Sequence, residues 1–183
     1  MFIEVADLEA HPLVFDERLA PGAIDLGPDF VQRAALEASG SAELVEEHHS
    51  KREVIQDIRL RGKLNTRLEA ACARCLDAVS HEVKRSFDLL YRPQGVDAGQ
   101  EELSITDVEA EIGYYQNGGI LLEDVLREQI LLSAPVKTIC REDCKGLCPH
   151  CGKNLNLEQC SCAEPLEDPR WAALKEIRNK LEH

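Results

Sequence analysis

The chain has 183 residues, enough for one generous domain or one domain with a small appendage, and its 44% hydrophobic content suffices for a real core. A formal charge of −13 excludes a surface that attracts nucleic acid over its whole extent, because phosphate binding draws its energy from counterions released by Lys and Arg. No apolar run is long enough to span a bilayer as a helix.

The opening stretch MFIEVADLEAHPLVFDE carries acids throughout and lacks a basic start or an unbroken apolar run. It does not read as a signal peptide, and the expected location is the cytoplasm. There thiols stay reduced, and closely spaced cysteines favour metal binding or redox chemistry over a disulfide framework. Within this stretch MFIEVADL and HPLVFDERL read as short strands. GPDFVQRAALEASG reads as a short helix, with Pro28 near its start and Gly40 beyond its end. SAELVEE supplies a further strand.

The clearest signal is QDIRLRGKLNTRLEAAC. Ile58, Leu60, Leu64, Leu68, Ala70 and Cys72 share one parity, whereas Arg59, Arg61, Lys63, Asn65, Arg67 and Glu69 share the other, the pattern of a half-buried strand. AVSHEVKRSFDLLYR follows with Val79, Val83, Phe87, Leu89 and Tyr91 in one phase, and Cys72 and Cys75 fall at the turn between these two strands. From Pro93 to about Glu111 the chain is acidic and poor in apolar residues, and reads as a mobile connection with room for one short strand. GGILLEDVLREQILLSAP places Leu122, Val125, Leu126 and Ile130 on one helical face, closed by Pro135. EDPRWAALKEIRNKL predicts a last helix with Asp168 as N-cap, Pro169 in its first turn, and Trp171, Leu174, Ile177 and Leu181 down one side. The final LEH reads as the remnant of a purification tag, so His183 is given no role.

Six of the eight cysteines lie between Cys140 and Cys162. A zinc ion takes about four tetrahedral ligands, with thiolate sulfur at roughly 2.3 Å, and a CxxC turn presents two sulfurs to one ion without strain. In CPHCG, Pro149 stiffens the turn and Gly152 can take the positive φ that turns backbone N–H groups toward the thiolates. Cys148 and Cys151 are thus a ligand pair, and Cys160 and Cys162 of CSC are its natural second half. Cys72, Cys75, Cys140 and Cys144 remain as a second set that would tie the sheet to the C-terminal segment. Two alternatives stay open: Cys140 or Cys144 completes the downstream site, or His150 replaces a thiolate. Each four-thiolate zinc site would carry a charge of about −2, which Arg74, Arg141, Lys145 and Lys153 lie close enough in sequence to offset.

A pair such as Cys72 and Cys75 taken alone is also compatible with two buried hydrophobes or a redox couple. The thioredoxin-like arrangement needs CxxC at the start of a helix, and here the pair sits between strands. Catalytic zinc keeps an open position beside a general base, and none of the six histidines stands in an HExxH or HxE…PCxxC context. The role of the metal is read as structural, folding a segment with too little core of its own. The expected architecture is α+β: an antiparallel β-meander or partly open barrel with flanking helices, followed by a C-terminal Cys-rich zinc-knuckle segment. The boundary falls between a β-rich core domain over 1–135 and a zinc-binding segment with its C-terminal helix over 136–183.

At CARCL, LREQILLSAPVKTIC, CKGLCPHCGKNLN and DPRWAALKEI the chain resembles the YceD family, the large ribosomal RNA subunit accumulation proteins. The likeness runs from about the central strands to the last helix. The family's CxRCL motif falls on Cys72, Ala73, Arg74, Cys75 and Leu76, and its downstream cluster on Cys140, Cys144, Cys148, Cys151, Cys160 and Cys162. The resemblance implies involvement in producing or stabilising large-subunit (23S) ribosomal RNA during ribosome assembly, without an established enzymatic activity, and the chain is read as a non-enzyme.

Two features could serve such a role. Arg59, Arg61, Lys63 and Arg67 form a basic stripe whose members leave the sheet at intervals of about 6.6 Å, comparable with phosphate spacing. Glu43, Glu47, Glu82 and Asp88 on neighbouring strands would neutralise that stripe if they pair with it. The acidic stretch with Glu101, Glu102, Asp107, Glu109 and Glu111 suits a basic ribosomal protein, and its plainer reading is a solvated loop. The expected partner is therefore a large-subunit RNA precursor or a basic ribosomal protein, with no membrane and no small-molecule substrate. A thiol redox switch or zinc donor is the alternative function. A nuclease or RNA-modifying enzyme has no paired-carboxylate motif or cofactor loop to support it.

Overall fold

The computed structural model describes residues 1–50, 53–96 and 112–162. In chain order these form β1 (Phe2–Glu4), α1 (Val5–Ala10), β2 (Leu13–Leu19), β3 (Val31–Gln32), β4 (Leu36–Ser50), β5 (Glu53–Ala71), β6 (Ala78–Pro93), β7 (Ile112–Tyr115), β8 (Gly119–Leu121) and α2 (Leu122–Ser133). The fold is α+β and mostly sheet.

Alternation of apolar and polar residues makes β5 the axis of the molecule. Ile58, Leu60, Leu64 and Leu68 are buried on one face, while Arg59, Arg61, Lys63 and Arg67 point away from them. β4 and β6 flank β5 as antiparallel neighbours, with Ala42 opposite Leu60 on one side and Leu89 opposite Leu60 on the other. β2 extends the sheet beyond β4, and β7 extends it beyond β6. β3 pairs with the far end of β5. The order β2-β4-β5-β6-β7 is that of an open sheet, not a closed barrel. β7 lies parallel to β6, so this edge departs from an all-antiparallel arrangement. The apolar face of α2, formed by Leu122, Val125, Leu126 and Ile130, shares one core with the inward residues of the sheet.

Two expectations change. The stretch GPDFVQRAALEASG is not a helix: it contributes β3 and the start of β4. Its alanines match helix propensity, yet Leu36, Ala38 and Ala42 are buried with a period of two against β5, and long-range pairing prevails over a weak local preference. Gly40 shows how close that pairing is, because a Cβ there would sit 2.1 Å from Arg61 O and 2.7 Å from Phe15 Cζ. The stretch MFIEVADL holds only three residues of strand before turning into α1. Ile3 is buried through β1, which pairs with β8, and Leu8 is buried from the helix, so each apolar residue reaches the core by a different element.

The last helix expected around Trp171, and the acids Glu101, Glu102, Asp107, Glu109 and Glu111, lie outside the described residues. Among the described residues no helix is long and apolar enough to cross a membrane.

Candidate metal centre

At the end of β5 the chain turns through Cys72–Asp77 before entering β6. A small second hydrophobic cluster forms there from Cys72, Cys75 and Cys144 with Val79, Ile139 and Leu147. The arm that follows α2 is laid onto this turn by backbone pairing. Ala73 N–H donates to Thr138 O at 2.8 Å, and Leu147 N–H donates to Arg74 O at 3.0 Å. Arg74 Nη1 adds bonds to Glu142 O and Cys144 O.

The result is two groups of four sulfurs. Cys72, Cys75, Cys140 and Cys144 have sulfurs all within 4.8 Å of one another, and so do Cys148, Cys151, Cys160 and Cys162. Tetrahedral coordination at a Zn–S length of about 2.3 Å puts neighbouring sulfurs about 3.8 Å apart. Cys72 Sγ to Cys144 Sγ is 3.9 Å, Cys75 Sγ to Cys140 Sγ is 3.6 Å, and Cys160 Sγ to Cys148 Sγ is 3.4 Å. Either group could therefore hold a divalent ion with little movement. His150 is exposed and belongs to neither group. The first group is largely buried, with only Cys140 exposed, whereas in the second only Cys148 is buried.

Both CxxC turns have the same local form. Gly152 sits at φ +72° and its N–H donates to Cys148 O at 2.9 Å. Leu76 sits at φ +62° and its N–H donates to Cys72 O at 2.9 Å. This turn points successive backbone N–H groups at the leading sulfur. The Cys72 thiol is pulled down to about 6 by the N–H groups of Cys75 and Arg74, and that of Cys148 to about 6 by those of Cys151 and His150. The amide of Asn156 lowers Cys144. Cys75 goes the other way: the Asp77 N–H pulls its thiol down, but burial and the Asp77 carboxylate outweigh it. Cys162 is pushed up to about 12, first by the Cys151 sulfur. Each group thus combines thiols shifted down, Cys72 and Cys144 in the first and Cys148 in the second, with thiols shifted up, Cys75 and Cys140 in the first and Cys162 in the second.

Of the basic residues named for charge balance, Arg74 is spent on carbonyl oxygens, Arg141 holds Asn156 Oδ1 at 2.9 Å, and Lys153 pairs with Glu158 at 3.2 Å. Sequence does not single out Asp77 and Asn156, which contact the first group, or Asn154, which reaches it through Asp77. The signal for the two asparagines is the polar KNLN between two ligand pairs, since an amide is a natural donor to thiolate sulfur.

The basic stripe is engaged in part by its neighbours. Arg59 makes paired bonds to Asp88 at 2.8 and 2.7 Å, and Arg61 reaches Glu43 at 2.6 Å. Arg67 stands opposite Glu82, and Lys63 stands between Ser39 and Ser86.

A family model described as Large ribosomal RNA subunit accumulation protein YceD matches residues 60–178. An uncharacterized protein of Mycobacterium tuberculosis is 37% identical over 106 residues, 58% of this chain and 48% of that protein. One from Mycobacterium leprae is 28% identical over 124 residues, covering 68% of this chain and 54% of its own. The chloroplastic Large ribosomal RNA subunit accumulation protein YCED homolog 1 of Arabidopsis thaliana is 25% identical over 150 residues, 68% of this chain and 46% of that protein. The chain spans about half the length of the curated relatives it matches. No solved structure matches it.

Proposed function

The chain belongs to the YceD family of large ribosomal RNA subunit accumulation proteins, and on that premise we propose that it is a non-catalytic ribosome-biogenesis factor. In this reading it supports accumulation or processing of the large-subunit RNA, and each cysteine group binds one structural zinc ion. The observation that carries the reading is that sulfur alone can close both groups. Four thiolates leave no position for a substrate or an activated water, which is the arrangement of structural zinc. The first ion would pin the arm after α2 to the β5–β6 turn, and the second would hold the loop from Cys148 to Cys162.

The direct partner we favour is a basic ribosomal protein. The charge of −13 supports it, and so does the engagement of Arg59 and Arg61 by acids on the neighbouring strands. Lys63 and Arg67 keep direct RNA contact as the second reading. The exposure of Cys151 and Cys162 favours zinc donation as the alternative use of the second group.

The test is a pull-down at low and moderate salt, with bound protein and RNA both identified, from zinc-loaded and chelated samples. About two zinc ions per chain and a basic large-subunit protein recovered only by the loaded form are expected. RNA recovery that disappears when Arg59, Arg61, Lys63 and Arg67 are reversed in charge would transfer the contact to the stripe. Freshly isolated, reduced protein that holds no metal while residues 138–162 stay protected from exchange would overturn the structural-zinc reading.

A further inference from the structure

Two asparagines of the second cysteine loop complete the surroundings of the first cysteine group. Asn156 lies between Cys151 and Cys160, yet its Nδ2 donates to Cys144 Sγ at 3.3 Å. Its Oδ1 accepts from Lys145 N–H at 2.8 Å and from Arg141 Nη2 at 2.9 Å, which fixes the carboxamide from its other end. Asn154 Nδ2 donates to both Asp77 oxygens, at 3.2 and 3.1 Å, and Asp77 Oδ2 accepts from the Cys75 thiol at 3.2 Å. The two side chains form one unit, since Asn156 N–H donates to Asn154 Oδ1 at 3.0 Å. Backbone bonds from Cys148 N–H to Lys153 O at 2.8 Å and from Leu155 N–H to Gly146 O at 2.9 Å set the loop that carries them.

When a cation replaces the thiol protons, the demands on this pair increase. Cys144 becomes a full acceptor for the Asn156 amide. Cys75 loses the S–H that it gives to Asp77, so a carboxylate is left beside a thiolate with Asn154 as its remaining side-chain donor in this contact set. Anything that fixes the loop between Cys151 and Cys160 therefore fixes the amide donors that Cys144 Sγ and the Asp77 carboxylate meet.

We propose that Asn154 and Asn156 couple the two cysteine groups, so that a divalent cation held by the second tightens binding in the first. By linkage the first tightens the second by the same factor. The inference rests on reading both groups as metal sites. In it the asparagines are positioning residues, acting through Asp77 and Cys144.

The experiment titrates the full-length, reduced, metal-free chain with zinc against a chromophoric chelator. The wild type is expected to take two ions. C151S/C162S removes the second site and is expected to weaken the first by about 10–100-fold, the usual effect of losing outer hydrogen bonds to a metal ligand. C75S/C140S should weaken the second site by the same factor. N156A should retain two ions with a first site about 10-fold weaker, and adding C151S/C162S to it should cost the first site little more. N156A carries the test by itself if the double-cysteine variants fail to fold. First-site affinity unchanged by both C151S/C162S and N156A overturns the coupling and leaves the metal reading intact. A full further loss in the combined variant also overturns it, by removing the asparagines from the path. A wild type that takes up no zinc overturns both readings.

Discussion

The guanidinium of Arg74 donates to the carbonyl oxygen of Cys144, 3.0 Å away and 70 residues further along the chain. A second bond from the same nitrogen reaches Glu142 O at 3.1 Å. Two acceptors on one cation hold the 142–144 backbone in place, whatever else occupies the sulfurs nearby. Arg74→Ala is expected to cost about 1–2 kcal/mol locally. Hydrogen exchange over residues 141–147 should speed up accordingly, while the midpoint of sheet unfolding stays within a few degrees.

Leu76 holds the left-handed conformation that Gly152 holds in the second CxxC turn. Its side chain is 65% exposed, so little packing offsets the strain. Leu76→Gly is expected to stabilise the protein by about 1 kcal/mol in urea unfolding. A lower midpoint would mean that the leucine contributes contacts which its exposure does not suggest.

Gly40 and Gly62 face each other across β4 and β5, and the Phe15 and Phe87 rings close over them. A methyl group at Gly40 meets backbone on one side and an aromatic ring on the other. Gly40→Ala should lower stability by about 3 kcal/mol, measured by denaturant midpoint at unchanged slope.

Asp57 and Arg92 form a buried pair, with bonds of 3.2 and 3.0 Å from the guanidinium to the carboxylate, and Glu47 joins them from β4. Asp57→Ala removes the bidentate acceptor of a buried cation and is expected to cost about 3–5 kcal/mol. Asp57→Asn should cost less, because one oxygen can still accept.

The metal-free chain should show a pH dependence to which the thiols of Cys72 and Cys148 contribute, beside the lowered thiol of Cys144. Cys72 and Cys148 ionise near 6 when folded, against an ordinary value of 9.0. Since the folded values are the lower ones, ionisation stabilises the fold; the contribution is complete above about pH 9 and is lost as pH falls through 6. Chelated, reduced protein should therefore lose exchange protection over residues 138–162 on going from pH 9 to pH 6. Substituting both cysteines with serine should flatten that profile.

Much of this molecule could be read without its tertiary structure wherever local pattern and burial coincide. β5 is legible because apolar residues recur at alternate positions from Ile58 to Cys72, interrupted only by Gly62 and Thr66, and α2 because Leu122, Val125, Leu126 and Ile130 recur at helical spacing. The CxRCL and CPHCG turns are legible because their spacing is a property of the chain itself. The segment from Val31 to Gly40 was not, since alanine and glutamate favour a helix locally and only pairing with β5 makes it a strand. Spacing offered Cys72, Cys75, Cys140 and Cys144 as one set with alternatives left open; their proximity depends on α2 returning the chain to the β5–β6 turn, where Thr138 and Leu147 bond to Ala73 and Arg74. Asn154 and Asn156 acquire their contacts by the same route. Sequence alone determined which residues carry soft-donor chemistry and which strand faces the core. Only the folded chain decided which sulfurs meet, because contacts across some 70 residues depend on packing that no local period records.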